Sequence, residues 1–445
     1  MTYPSAIYVC SLFRAAWLAG AILTQGWCAS VVTAQETGDP NADQEVAALI
    51  EQLHSPAFKE REAATEALLA LGVRSVAPLR AIESENLEAK TRADAILKKI
   101  DDTIFKDASR QFLRNNAEPD PEIMPSWRHY SSIAGRSRSA KLLFLDMLRV
   151  RRDFAKLIER HTESSTEENA VKVRTATEEL AAELTFLRTR KAVLPELGDV
   201  VAVLMGASLL EGQAPVPVNE FLVISNYTIP VTKHIDSRGY GQALKSLFAI
   251  WIPKIHESRA ADAMRIALHY KYKTGAELAR RFVSENYDAR TRERAIQCLA
   301  EFGNEKADLP RLIQLLDDAQ ICDQFALNQF LYLPNDISVT EETPPQAPFG
   351  EQDDAPDPNA RFEYRIQDVA LAACMTLVGE DLEQVFRKPL VPPAYGFGRF
   401  QLATEATVEA RKERLEQISA WRGKLSKLTN DSSANSAGDV TPNDA

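Results

Sequence analysis

Between Phe282 and Asp318 the chain reads FVSENYDARTRERAIQCLAEFGNEKADLPRLIQLLDD, and this stretch restricts the fold more than any other. Arg292, Ala295, Ile296, Leu299 and Phe302 recur at three- and four-residue steps, the spacing of one helix face. Asp288 stands ahead of them as a cap. Gly303 follows the last apolar residue, where a left-handed helix end favours glycine. Leu309, Leu312, Ile313, Leu315 and Leu316 form the apolar stripe of the next helix. Neither helix can bury its stripe alone, so each needs a neighbour built like itself. The spacing predicts a helical pair, one unit of an α-solenoid.

The same pattern returns near the start of the chain. Arg61, Ala64, Leu68 and Leu71 recur 29 residues later as Lys90, Ala93, Leu97 and Ile100. Two helices per repeat at that period is a solenoid pattern. Asp288, Arg292, Ala295, Leu299, Gly303 and the Asp308-Leu309-Pro310-Arg311-Leu312 helix start resemble the HEAT repeat family. A further likeness comes from the RIQDVALA helix at Arg365 to Ala372, preceded by DLPRLIQLLDD and followed by a late helix containing Trp421. That layout resembles a group of exported bacterial HEAT-type proteins of unassigned activity. The resemblance implies a fold and export, and no site residues.

At 445 residues the chain exceeds one ordinary globular core, which suits a solenoid or several domains. A formal charge of −11 argues against a general nucleic-acid binder, whose footprint is basic. Eighteen glycines in 445 residues favour helices over a turn-rich all-β fold. The densest basic clusters, Arg149 to Arg152 and Arg290 to Arg294, read as solvated helix faces rather than polyanion sites.

Residues 1–34 read as a signal peptide. Arg14 precedes an apolar run from Ala15 to Thr24, and Val32-Thr33-Ala34 supplies small residues for cleavage before Gln35. Ala15 to Ala34 is about 20 residues, long enough for a membrane anchor, but Gln25 and the cleavage-like end favour removal. Cys28 follows Trp27, not the small residue of a lipoprotein motif. The mature chain is thus expected to be exported to the periplasm, cell envelope or exterior, with no membrane span.

The expected fold is all-α: an α-solenoid of HEAT-like helical pairs with irregular loop insertions. Residues 44–101 form N-terminal HEAT-like repeats and 126–212 a helical middle region, with Trp127 to Gly135 as a turn. Pro215, Pro217 and Pro230 mark 213–240 as an irregular insertion, with Phe221 to Ile224 as an extended loop. HEAT-like repeats resume over 241–333. Residues 334–361 form an acidic, proline-rich loop without Lys or Arg before Arg361. C-terminal helices occupy 362–428 and a disordered tail 429–445.

Chemistry is sparse. The sequence contains no GxSxG, P-loop, GxGxxG, HExxH or EF-hand spacing. His54, His129, His161, His234, His256 and His269 are scattered, and only His256 and His269 fall on adjacent predicted helices. Cys298, Cys322 and Cys374 show no CxxC and no nearby histidine, so they read as small core residues; a Cys298–Cys322 bridge is open to an exported chain. Trp127, Tyr130, Tyr227, Tyr240, Trp251, Tyr270, Tyr272 and Trp421 are core residues or interface anchors, which exposure alone separates. No catalytic, cofactor-binding or metal residue is assigned, and no cofactor is expected. The leading expectation is a non-catalytic protein–protein interaction scaffold. The alternatives are an enzyme with a site between the 213–240 insertion and neighbouring helices, or a peptide- or glycan-binding module.

Overall fold

The computed structural model describes residues 40–82, 86–115, 117–326, 361–386 and 399–437. The expected signal peptide at 1–34 and nearly all of the acidic segment at 334–361 lie outside the described residues. The chain divides into two units, one ending at Thr103 and one starting at Ile104.

The first unit is helical. Helix α1 (Pro40–Leu53) packs on α2 (Phe58–Leu71), a short α3 (Val76–Arg80) follows, and α4 (Leu87–Arg114) runs on past the unit border. Val46, Leu53, Ala64, Leu68, Leu79, Ala89, Ala93 and Ile96 are buried. The 29-residue register holds at Ala64 and Ala93. Ile100 is buried as well, whereas Leu97 is only half-buried and Ile96 beside it takes the core position. Arg61 Nε reaches Glu88 at 3.0 Å and Arg92 reaches Glu62 at 2.6 Å, tying α2 to α4.

The second unit opens with α5 (Trp127–Ala134), α6 (Arg138–Glu163), α7 (Glu167–Lys191) and α8 (Leu197–Leu209). Ser137 caps α6 by accepting from Ala140 N at 3.1 Å, and Thr166 caps α7 by accepting from Asn169 N at 3.2 Å. In α7 acids fill the first turn and bases the last, matching the helix dipole. Helix α8 is apolar apart from Asp199 and Ser208 and is buried from Gly198 to Ala207. It packs against α6, α7, α9 (Val216–Ser225) and α11 (Gly241–Trp251). A Cβ at Gly206 would lie 2.3 Å from Thr177 Oγ1, so only glycine lets α7 and α8 approach this closely.

Two expectations are corrected here. Trp127 to Ala134 is the helix α5, not a turn, because Trp127, Tyr130 and Ala134 face one core. Residues 213–240 are not irregular: they form α9 and α10 (Ile229–Ile235). Pro217 and Pro230 occupy the first turns of these helices, where a missing N–H costs nothing. Phe221 to Val223 are buried along α9 instead of lying extended.

The stretch read first becomes α14 (Ala289–Phe302) and α15 (Glu305–Gln314), preceded by α12 (Ala260–Tyr270) and α13 (Gly275–Phe282). Asp288 caps α14, accepting from Thr291 N at 3.0 Å. Ala295, Ile296 and Leu299 are fully buried, as is Leu312. Gly303 is needed for a different reason than expected. Its φ is −69°, not left-handed, but a Cβ there would lie 2.2 Å from the Leu299 carbonyl oxygen.

After a 3-10 turn at Leu315–Asp317 comes a small antiparallel sheet, ordered β1 (Ile321–Ala326), β2 (Arg361–Arg365) and β3 (Thr404–Glu405). Asp323 faces Tyr364, and Phe362 faces Glu405. The chain is mostly helical, in keeping with the all-α expectation, and carries one minor sheet that the sequence did not announce. The strands flank the segments 327–360 and 366–403, so each finds its partner only after a long interval. Helices α16 (Ile366–Leu377), α17 (Arg399–Leu402) and α18 (Val408–Ala437) complete the unit. Helix α18 takes in residues 429–437, which the composition assigned to a tail. No helix among the described residues is long and apolar enough to cross a membrane.

Leu299→Ala should destabilise the second unit by about 2–5 kcal/mol, since the side chain is fully buried. Urea unfolding measures this, and a loss under about 0.5 kcal/mol would show that Leu299 carries no core packing. Gly303→Ala forces the end of α14 away from its own carbonyl and should cost about 1–3 kcal/mol in the same assay. An unchanged midpoint would mean that the helix end relaxes freely.

Candidate functional site

A polar groove of about 920 Å³ opens where α13, α14 and the turn after α15 meet. Arg292 forms its floor and is 1% exposed. Its Nη1 donates to Gln320 Oε1 at 2.7 Å and its Nη2 to the Asp318 carboxylate. Asp318 also accepts from Gln320 N at 2.9 Å, which fixes the strand entrance. Arg280, on the wall, donates Nε and Nη2 to the two oxygens of Asp308 at 2.8 Å each. Burial pushes the Asp308 carboxyl up, but Arg280, the Asn304 N–H and Arg311 outweigh it and hold it below its usual value. Ser284, Glu285, Arg311 and Gln314 lie on the exposed rim. The groove thus has fixed ion pairs beneath and charges of both signs at its edge. Its floor cations are committed to carboxylates, and the arrangement suits hydrogen bonding to a polar ligand better than bond cleavage.

The histidines are less scattered than the sequence suggests. His129 on α5 lies close enough to His161, at the end of α6, and to Lys254 to feel both charges. Burial first, then those two charges, lower His129 to about 4, so it is neutral at pH 7. Its Nε2 lies 2.7 Å from Ser208 Oγ. That contact resembles an activated serine, but the proton runs the wrong way. Ser208 Oγ–H donates to Met205 O at 2.6 Å, and with its one proton used there the hydroxyl accepts from the imidazole in the Nε2–H tautomer. Lys254 Nζ donates to Ser208 O at 2.6 Å and Leu210 O at 2.7 Å, satisfying the carbonyls at the end of α8. The cluster is a helix cap. His256 accepts from Ser258 N at 3.3 Å within a 3-10 turn, and His269 packs edge-on against Tyr270. Among the described residues no three His, Cys, Asp or Glu side chains converge on a metal position.

Cys298, Cys322 and Cys374 are free thiols. Burial raises all three, Cys374 to about 12, which suppresses the reactive thiolate. Cys298 Sγ instead donates to Met264 O at 3.6 Å. Within the helices at 216–235, buried Asn219 donates to Ala214 O at 2.7 Å and accepts from Trp251 Nε1 at 3.0 Å. Trp127, Tyr130, Trp251 and Tyr272 are core, whereas Tyr227 is 46% exposed, with Arg265 5.0 Å above its ring. The basic clusters are largely neutralised: Arg151 Nε bonds Asp199 at 2.7 Å, Arg149 pairs with Glu196, and Arg292 is buried.

Sequence reading placed Arg292 on the face of its helix but missed its role as a groove floor. The signal was its separation from Asp318 and Gln320, 26 and 28 residues, close to the spacing of Arg280 and Asp308. No protein-family model, curated protein or solved structure matches this chain.

Proposed function

We propose that this chain is an exported, non-catalytic scaffold of HEAT-like helical pairs that binds a partner protein in the groove between α13, α14 and the turn after α15. The observation that carries the reading is the groove's construction: rigid ion pairs below, and Glu285, Arg311 and Gln314 exposed at the rim. A polypeptide with mixed polar side chains matches such a rim, because both charge signs find a complement. The solenoid reading draws support from ion pairs that bridge about one helical unit. Arg61 reaches Glu88, Arg280 reaches Asp308 and Arg292 reaches Asp318. The negative formal charge of −11 disfavours nucleic acid as the partner.

A photo-reactive side chain at Gln314 should crosslink a discrete polypeptide in native envelope extract. Arg311→Glu should lower that yield about tenfold, the effect of roughly 1.4 kcal/mol at a rim contact. The same probe at exposed Val171 supplies the background, and equal labelling at both positions would sink the groove assignment. Export is tested separately. N-terminal sequencing of the mature protein should begin at Gln35 or within a few residues, whereas a chain that keeps Met1 and needs detergent for extraction would be an anchored protein.

A further inference from the structure

A second polar feature lies away from the groove, where α16 and β3 pack against the start of α18. Asp368 is completely buried there. Its Oδ2 accepts from Arg365 N at 2.8 Å and from Arg411 Nη1 at 3.0 Å, and Arg414 approaches Oδ1 at 3.9 Å. The carboxylate is thereby fully engaged by one corner of Arg411. The opposite edge of that guanidinium is not. Arg411 Nε and Nη2 are both buried and have no hydrogen-bond partner, although the side chain is only 10% exposed. Other arginines leave a single nitrogen in this state. Arg411 alone among the described residues leaves two, and the two are the parallel donors of one edge.

Two charged donors buried without acceptors carry a heavy desolvation penalty. Two further groups, on the elements that pack against α18, have the same deficit. Thr404 Oγ1 on β3 and Gln367 Nε2 on α16 are also buried without a partner. Asp368 cannot turn to serve the open edge without abandoning the Arg365 N–H at the start of α16. Glu363 is likewise held, by Arg365 Nε at 2.8 Å and Gln324 Nε2 at 2.9 Å. A single water that accepts from both donors brings no countercharge to the guanidinium. An anion with two oxygens meets both donors in parallel and brings charge to a buried cation.

We infer that the Nε/Nη2 edge of Arg411 is a binding site for a two-oxygen anion, a carboxylate or a phosphate, enclosed by α16, β3 and the first turn of α18. Bound there, the anion clamps the sheet and α16 onto α18 through one shared guanidinium. The site is independent of the groove and of the scaffold reading.

The test uses the full mature chain, exchanged into chloride buffer and titrated with sodium acetate or inorganic phosphate at constant ionic strength. Isothermal titration calorimetry should give a saturable heat for at least one of them, and the melting temperature should rise with the same concentration dependence. Acetate alone would identify a carboxylate site and phosphate alone a phosphate site. Arg411→Gln should abolish the saturable heat, and Arg411→Lys, which keeps the charge and loses the fork, should weaken it about tenfold or more, a loss of 1.4 kcal/mol. Arg422→Gln, on the same helix, should leave it unchanged. Absence of saturable heat for both anions in the wild-type chain overturns the proposal, as does a response matched by chloride, and neither result depends on the variants folding.

Discussion

The second unit depends on arginines that reach about one helical pair ahead. Amphipathic helices pack wherever apolar stripes meet, so hydrophobic contact alone leaves the order and offset of similar helices weakly specified. A guanidinium fixed to one carboxylate removes that freedom. Arg280 holds both oxygens of Asp308, whose carboxylate also caps the Asn304 N–H at the start of α15. Arg292 does the same from α14, reaching Asp318 and Gln320. In each pair one partner is buried, Asp308 or Arg292, and the other reaches the groove, so the buried charge is held by a partner at the solvent edge. Removing one partner would leave a buried charge uncompensated, which is far more damaging than losing an exposed pair.

The same two pairs make the groove. A long loop between helices would blur a binding surface, but Asp318 and Gln320 are tied to Arg292 and cannot drift. The floor is thus fixed by the chain's own ion pairs. The rim residues Glu285, Arg311 and Gln314 retain their side-chain freedom at the solvent edge. The groove therefore combines a fixed floor with a rim whose side chains are free to turn.

Polar groups elsewhere in the core are handled by the same economy of donors. Lys141 Nζ bonds Phe112 O at 2.8 Å and Asn115 O at 2.6 Å, closing the end of α4, and Lys254 closes the end of α8. His129 and Ser208 join the latter cap. These residues are buried because helix ends carry carbonyls that must be met.

The sequence by itself determined the helices with strong stripes. Leu299, Leu309 and Leu312 were legible as buried, and Asp288 as a cap, because periodicity and capping are local properties. It also determined that Gly303 was special, though not why: a close carbonyl, rather than a positive φ, is a matter of three-dimensional proximity. Proline misled over 213–240, since a first-turn proline and a helix-breaking one differ only in where the helix begins. The sheet escaped because β1, β2 and β3 are short and pair across long intervals that no local pattern encodes. The groove and the Arg411 edge escaped for the same reason. Arg292 on paper is one charge in a basic cluster, and Arg411 one in an ordinary surface helix. Only the tertiary fold buried them, supplied carboxylates from distant elements, and left one guanidinium edge without a partner.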